Sequence, residues 1–124
     1  MQGTVMTLLN INRLGPGSTS SYGRYVGLRN ASTVAIVFRG SYGASAGTTA
    51  QLDIYAALTP NSGSVDSAVL GSIVLAAAAT SVKQRSKFCF GTLDLSAYPY
   101  IVVKAKHRTG TVGLHNVLAK AIIK

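Results

Sequence analysis

The stretch of residues 97–108, Ala-Tyr-Pro-Tyr-Ile-Val-Val-Lys-Ala-Lys-His-Arg, constrains the fold more than any other part of the chain. Pro99 fixes its own φ and holds the residue before it extended. From Ile101 onward the residues divide between the two faces of a strand, because successive side chains point in opposite directions. One face carries Ile101, Val103 and Ala105, and the other carries Val102, Lys104, Lys106 and Arg108. The pattern predicts a central strand with a buried apolar face and a row of cations about 7 Å apart.

Shorter alternating segments, separated by turn residues, recur along the rest of the chain. The clearest is 51–58, where the residues predicted to face the core are Leu52, Ile54, Ala56 and Leu58. Residues 59–63, Thr-Pro-Asn-Ser-Gly, predict a turn after it. Further strands are predicted over 5–11, 22–28 (a weak edge strand), 33–39, 69–75 and 83–90, with a loop at 40–49. The spacing predicts an all-β fold, an antiparallel, jelly-roll-like β-sandwich of seven or eight short strands.

Both ends of the chain allow two interpretations. Leu114, Val117 and Leu118 have helical spacing, whereas 117–123 alternates as in a strand, and the Thr-Gly-Thr turn before it favours the strand. Residues 1–21 are predicted to be an N-terminal strand or arm plus a flexible loop, and 22–124 the sandwich domain. The arm is expected to pack against a neighbouring subunit because the Gly/Pro/Ser loop would let it swing away. Its assembly residues are Val5, Met6, Leu8, Leu9 and Ile11.

The charge balance of the chain predicts an anionic partner. Twelve Lys and Arg residues face three acids, Asp53, Asp66 and Asp94, which gives a formal net charge of +9. Such a charge attracts nucleic acid, acidic protein surfaces or membranes. No apolar run approaches the roughly 18 residues of a membrane span, so no membrane role is expected. The predicted partner-binding charge patch comprises Lys83, Arg85, Lys87, Lys104, Lys106 and Arg108. It covers one face only if its two strands share a sheet, and otherwise the cations form two separate solvated rows.

The residues that enzymes use are sparse and scattered, so no catalytic, cofactor or metal site is predicted. His107 and His115 flank a turn without a third ligand, and their spacing matches no zinc motif, which indicates surface histidines. The single cysteine, Cys89, supports neither a disulfide framework nor a multi-cysteine metal site. Six tyrosines, at 22, 25, 42, 55, 98 and 100, are not interleaved with the cations as a nucleic-acid stacking platform requires. They are interpreted as rim packing or as anchors of a protein interface.

Three features in order carry a family resemblance. They are Ala-Gln-Leu-Asp-Ile-Tyr-Ala-Ala-Leu-Thr-Pro-Asn-Ser-Gly at 50–63, Ala-Tyr-Pro-Tyr-Ile-Val-Val-Lys-Ala at 97–105, and a Thr-Gly-Thr turn with a terminal strand ending Ala-Ile-Ile-Lys. Over about residues 33–124 the chain resembles the small β-sandwich structural proteins encoded in the virion gene clusters of tailed bacteriophages. In that family a strand entering a Ser-Pro-Asp-Gly-like turn is followed by a strand that begins with an aromatic residue. This chain departs from the pattern in the residues of the turn and in lacking tryptophan.

The resemblance implies a non-enzymatic virion component, made in the host cytoplasm: a capsid decoration (cement) protein, a minor head protein, or a neck or tail accessory. Its expected partners are the major capsid protein or other virion proteins and copies of itself, with non-specific nucleic-acid contact as a secondary expectation. The alternative is a nucleic-acid-binding viral coat protein that grips genome phosphates with a sheet face. A carbohydrate-binding sandwich is disfavoured by the missing tryptophan and the few acids.

Overall fold

The computed structural model describes residues 4–28, 31, 34–42, 49–75, 83–89, 99–110 and 113–124, with the side chains of 41, 42, 67, 75 and 83–89 not described. The described chain forms eight strands and one 3₁₀ turn, Ser62–Ser64. The strands are β1 Thr4–Leu14, β2 Val26–Gly27, β3 Val34–Tyr42, β4 Thr49–Ala57, β5 Val65–Leu75, β6 Lys83–Cys89, β7 Tyr100–Thr109 and β8 Leu114–Ile123. Within the described ranges, no helix has the length and apolar character needed to cross a membrane.

The strands form two four-stranded antiparallel sheets, in the orders β1-β8-β3-β6 and β2-β7-β4-β5. Strand β1 pairs with β8, β2 with β7, β3 with β6, and β4 with β5. This nested set of pairs is what results when one long antiparallel hairpin is rolled into two sheets, which is the jelly-roll arrangement. The predicted all-β, jelly-roll-like sandwich is therefore confirmed, and β7 is central in its sheet as predicted.

The core lies between the sheets and follows the predicted alternation closely. Strand β7 buries Ile101, Val103 and Ala105, and β4 buries Leu52, Ile54 and Ala56. From the other sheet, the buried residues include Val34, Ile36, Phe38, Val117, Ala119 and Ala121. The prediction for Leu58 is wrong, because β4 ends at Ala57 and Leu58, already in the turn, is 73% exposed. Alternation predicts burial only as far as the strand continues.

Strand β8 confirms the strand interpretation of the C-terminal segment and explains its helical spacing. The register against β3 shifts between Arg39 and Ser41, and Asn116 adopts φ 52°. These two features indicate a β-bulge, in which one strand contains an extra residue. Beyond the bulge, each side chain points to the face opposite to the one that simple alternation predicts. As a result Leu114 and Val117 are both buried although they are three residues apart.

The N-terminal segment is a strand of this sandwich, which corrects the arm interpretation. It pairs with β8 from Thr4 to Leu14. Of the five predicted arm residues, Leu8 and Leu9 are in the core and Met6 and Ile11 pack against it, whereas Val5 is 59% exposed. A segment whose apolar side chains fill its own core cannot leave it without exposing them to water. The expected swinging arm is replaced by an integral strand.

The crossing segment, residues 15–28, carries the chain from the first sheet to the second. The predicted flexible loop at its start is held to β7, because the Ser20 N–H donates to the Ala105 carbonyl at 2.8 Å and the His107 N–H donates to the Ser18 carbonyl at 2.9 Å. Further along, Gly23 passes between β7 and β1, and the segment ends in β2, an edge strand as predicted.

Three other predicted boundaries shift. The loop expected at 40–49 begins later, because residues 40–42 belong to β3, and 43–48 lie outside the described residues. Strand β5 starts at Val65, four residues before the predicted 69–75 strand. Strand β6 confirms the strand predicted over 83–90 as far as Cys89, and Phe90 is not described.

Candidate binding faces

The outer face of the second sheet, here the β7 face, carries part of the predicted charge patch. Lys104 and Lys106 are half-buried and Arg108 is exposed, while the residues between them, Ala105 and His107, are buried. Lys104 and Lys106 therefore share the outer face, as the alternation predicts, whereas Arg108 lies where the register between β4 and β7 shifts. Across the β4–β7 pair, Asp53 lies opposite Lys104 and Gln51 opposite Lys106. The row of cations therefore borders a carboxylate, and the negative charge of that carboxylate opposes the positive charge of the row.

Asp53 is an acid with little access to solvent, only 5% exposed, on the β7 face. The Ser72 hydroxyl donates to its Oδ1 at 2.7 Å, the Gln51 amide donates to the same oxygen, and Lys106 Nζ lies 3.4 Å from Oδ2. Burial alone would raise the pKa of Asp53, but the hydrogen bonds from Gln51 and Ser72 and the charge of Lys106 outweigh it, so the pKa lies below its usual range. The carboxylate stays ionised at neutral pH and offsets part of the positive charge.

This network predicts how stability depends on pH. Because the folded-state pKa of Asp53 is lower than in the unfolded chain, its contribution is complete above the unfolded value of about 4 and is lost as the pH falls toward the folded value. Urea unfolding of the wild type and of Asp53→Asn between pH 2 and 7 measures this. The difference in free energy of unfolding should be constant above about pH 5 and shrink below pH 4. Asp66→Asn, at an exposed acid, is the matched control. A constant difference for Asp53→Asn at all pH values would contradict the assignment.

Tyrosines from separate parts of the chain meet on the β7 face. Tyr22, from the crossing segment, packs edge-on against Tyr55 of β4, with ring centroids 5.8 Å apart, and Lys104 Nζ lies 4.0 Å from the Tyr22 centroid. Tyr25 is 6.4 Å from Tyr22. The outward residue Val102, the register partner of Tyr55, is only 1% exposed. Aromatic and cationic side chains are therefore adjacent here, contrary to the sequence interpretation.

Two of these tyrosines, Tyr25 and Tyr55, have side-chain pKa values above the usual range. Burial raises the pKa of Tyr25, and the neighbouring Tyr22 adds to the effect. Burial also raises the pKa of Tyr55, with further contributions from the charge of Asp53 and from Tyr22. Neutral phenols add no negative charge to the face. The side chains of Tyr42 and Tyr98 lie outside the described residues.

The six residues of the predicted charge patch lie on strands of two different sheets, so the condition for a single charged face is not met. Strand β6, which carries Lys83, Arg85 and Lys87, is at the edge of the first sheet, whereas β7 belongs to the second. Cations of opposite sheets cannot cover the same sheet face, so the two sets are separate. The side chains of the β6 cations lie outside the described residues.

The outer face of the first sheet, here the β8 face, is unexpectedly apolar. Its outward positions on β1, β3 and β8 include Val5, Ala35, Val37, Leu118 and Ile122. Ile122 lies between Val5 and Ala35, and Lys120 lies between Thr7 and Val37. A shallow depression of about 160 Å³ in this face is lined by Val5, Val37, Arg39, Leu118, Lys120 and Ile122. The face thus combines aliphatic side chains with two cations.

A larger open groove of about 450 Å³ lies at one end of the sandwich, where the turn between β4 and β5 approaches Pro99. Leu58 and Val65 contribute apolar surface to it, and Asp66 lines it. Asp66 is exposed, and it accepts a hydrogen bond from the Ala68 N–H at 2.9 Å. This groove therefore pairs apolar surface with a carboxylate.

The histidines do not form a joint site. His107 is buried, which corrects the surface interpretation, and its Nδ1 accepts a hydrogen bond from the Gly17 N–H at 3.4 Å. His115 is exposed as predicted, on β8 in the other sheet. Among the residues that the structure describes, no group of three His, Cys, Asp or Glu side chains is placed to hold a metal ion.

Comparison of the chain with protein-family models and with curated proteins gives no match. The function is therefore inferred from the jelly-roll topology and from the surfaces of the described residues. Of these, the apolar β8 face was missed at the sequence level. Its signal was present in the outward alternation of 117–123 and 34–39, but it depends on β1, β3 and β8 lying side by side.

Proposed function

We propose that this protein is a non-enzymatic structural component of a tailed-phage virion, a capsid decoration (cement) or other accessory head protein. The observation that carries the proposal is the nested pairing of strands, β1 with β8 through β4 with β5. Jelly rolls with this arrangement form viral capsid domains, and also lectin domains and cupins. Because one fold serves several functions, the fold alone does not identify the function, and the candidates are distinguished by the chemistry of the surface.

The surface favours docking onto another protein. The chain carries +9 formal charges, and of its three acids Asp53 is buried against Lys106. A surface so rich in cations complements an acidic shell and repels copies of itself in solution. Repeated weak contacts on a particle add up by avidity, so a small subunit with modest individual interfaces suffices for stable attachment.

A nucleic-acid-binding coat protein is the second candidate, and the β7 face favours it. There Tyr22, Tyr55 and Lys104 combine aromatic rings with a cation, the combination that single-stranded nucleic acid binds. Three contacts weigh against this candidate. The Tyr22 ring already contacts both Tyr55 and Lys104, and Lys106 is paired with Asp53. The accessory virion role is therefore the one we propose.

The proposal is tested by following the protein in cells that produce the particles. An epitope-tagged chain is expressed during infection, lysates are treated with nuclease, and particles are separated on a density gradient. The tag is expected to co-sediment with assembled particles, at many copies per particle by quantitative mass spectrometry. A tag found only in low-mass fractions, with particles assembled normally, would refute a virion role.

A further inference from the structure

The β8 face breaks the usual pattern of a sandwich sheet. An antiparallel sheet with one buried face normally presents polar side chains on the other. Here the outward positions of three neighbouring strands include five aliphatic residues, Val5, Ala35, Val37, Leu118 and Ile122, with Thr7, Asn10, Arg39 and Lys120 among them. Val5 is 59% exposed, and the other four aliphatic residues are partly exposed. A contiguous apolar area on an outer face indicates a surface that another molecule covers.

The charged residues on the β8 face indicate which kind of molecule would bind there. Arg39 is exposed and Lys120 is half-buried, and both line the shallow depression between the aliphatic side chains. The sequences of β1, β3 and β8 contain no Asp or Glu. The two cations therefore have no acid on their own three strands, unlike Lys106 of the β7 face, which is 3.4 Å from Asp53. An apolar floor with such cations complements a surface that is both apolar and acidic.

We propose that the β8 face is the docking surface for an acidic patch of a partner protein, with the aliphatic side chains buried at the centre and Arg39 and Lys120 paired to partner carboxylates. The inference rests on the proposed function in one respect, namely that the partner is the shell protein of the virion. A second copy docked through the same face would bring equal cations together in a two-fold interface. The bases of a single-stranded nucleic acid stack on aromatic rings, whereas the apolar residues of the β8 face named above are aliphatic.

Charge reversal tests the inference directly. The variant Arg39→Glu reverses one charge of the β8 face, at an exposed arginine. The control, Arg24→Glu, makes the same change in net charge at an exposed arginine of the crossing segment. Both proteins are checked for a wild-type circular dichroism spectrum, and copies per particle are counted in gradient-purified, nuclease-treated virions. The β8-face variant is expected to lose more than tenfold in copies per particle, and the control less than twofold.

The outcomes separate the inference from the proposed function. Absence of the wild-type chain from particles overturns the proposed function and the docking site with it. Presence of the wild type, with equal incorporation of both variants or equal loss of both, overturns the docking site alone. Release of the wild type by nuclease would indicate a nucleic-acid partner and would also overturn it.

Zero-length crosslinking provides a second test. It uses the wild-type protein, so its result does not depend on whether a variant folds. A carbodiimide activates a carboxylate, and the Lys120 amine then displaces the urea leaving group to form an amide bond with the partner's side chain. In purified wild-type particles, mass spectrometry is expected to find Lys120 joined to an Asp or Glu of the shell protein. A crosslink from Lys120 to Asp66 of a second copy, or a shell crosslink from Lys104 without one from Lys120, would contradict the proposal.

Discussion

Ile54→Ala and Ile101→Ala are each expected to lower the free energy of unfolding by about 2–5 kcal/mol. Both side chains are fully buried between the sheets, Ile54 in β4 and Ile101 in β7. Truncation removes buried methyl and methylene groups and leaves a cavity that close-packed neighbours refill only in part. Urea denaturation followed by circular dichroism measures the loss.

Leu58→Ala is the matched control for these two substitutions. Leu58 continues the sequence alternation of β4 but is 73% exposed, so its truncation should change the free energy of unfolding by no more than about 0.5 kcal/mol. Equal losses for Ile54→Ala and Leu58→Ala would mean that β4 continues through Leu58 and that the strand boundary is wrong.

Gly23→Ala is expected to cost about 3 kcal/mol or more, or to prevent folding, because the crossing segment has no space for a side chain at this point. A Cβ at Gly23 would lie 2.3 Å from the Leu8 carbonyl oxygen, and that oxygen already accepts the Arg24 N–H at 2.7 Å. Leu8 belongs to β1 and Gly23 itself donates to the Val103 carbonyl, so neither backbone can move away without breaking hydrogen bonds. Thermal and urea unfolding measure the effect.

Gly27→Ala serves as the comparison, because it lies in the same crossing segment. The nearest atom to a Cβ at Gly27 is Tyr100 Cε1 at 3.5 Å, an ordinary contact. We expect a change within about 1 kcal/mol there. If Gly23→Ala were as stable as Gly27→Ala, the close approach of the crossing segment to β1 would be refuted.

The inward residues in the middle of β4 and β7 could be predicted from the sequence. The predicted inward residues Leu52, Ile54, Ile101 and Val103 are all buried, and the register between the two strands is constant across them. The C-terminal strand was harder to predict because the bulge at Asn116 changes the face of the residues before it and imitates helical spacing. The sequence spacing of apolar residues predicts which residues face the core only where the register between paired strands is constant.

The binding faces were less predictable, since they depend on which strands are neighbours. The alternation of residues within β6 does not indicate which strand it pairs with. In the structure β6 pairs with β3 in one sheet, and β7 pairs with β4 in the other. The same holds for the tyrosines, because Tyr22 reaches Lys104 only through the path of the crossing segment. The pairing of Asp53 with Lys106 follows from register between strands more than 40 residues apart, which sequence spacing does not encode.

The central claim, that this protein attaches to a protein shell and not to a genome, is tested most directly by binding of the purified chain to genome-free shells as salt is raised. Docking that buries apolar surface weakens little when the Debye length falls to a few ångström, at several hundred millimolar salt. Phosphate binding falls with a log–log slope of roughly −0.7 to −0.9 per phosphate neutralised. We predict that the chain remains bound to empty shells at that salt and binds RNA and DNA only weakly. Tight nucleic-acid binding at the same salt, with no binding to empty shells, would contradict the account.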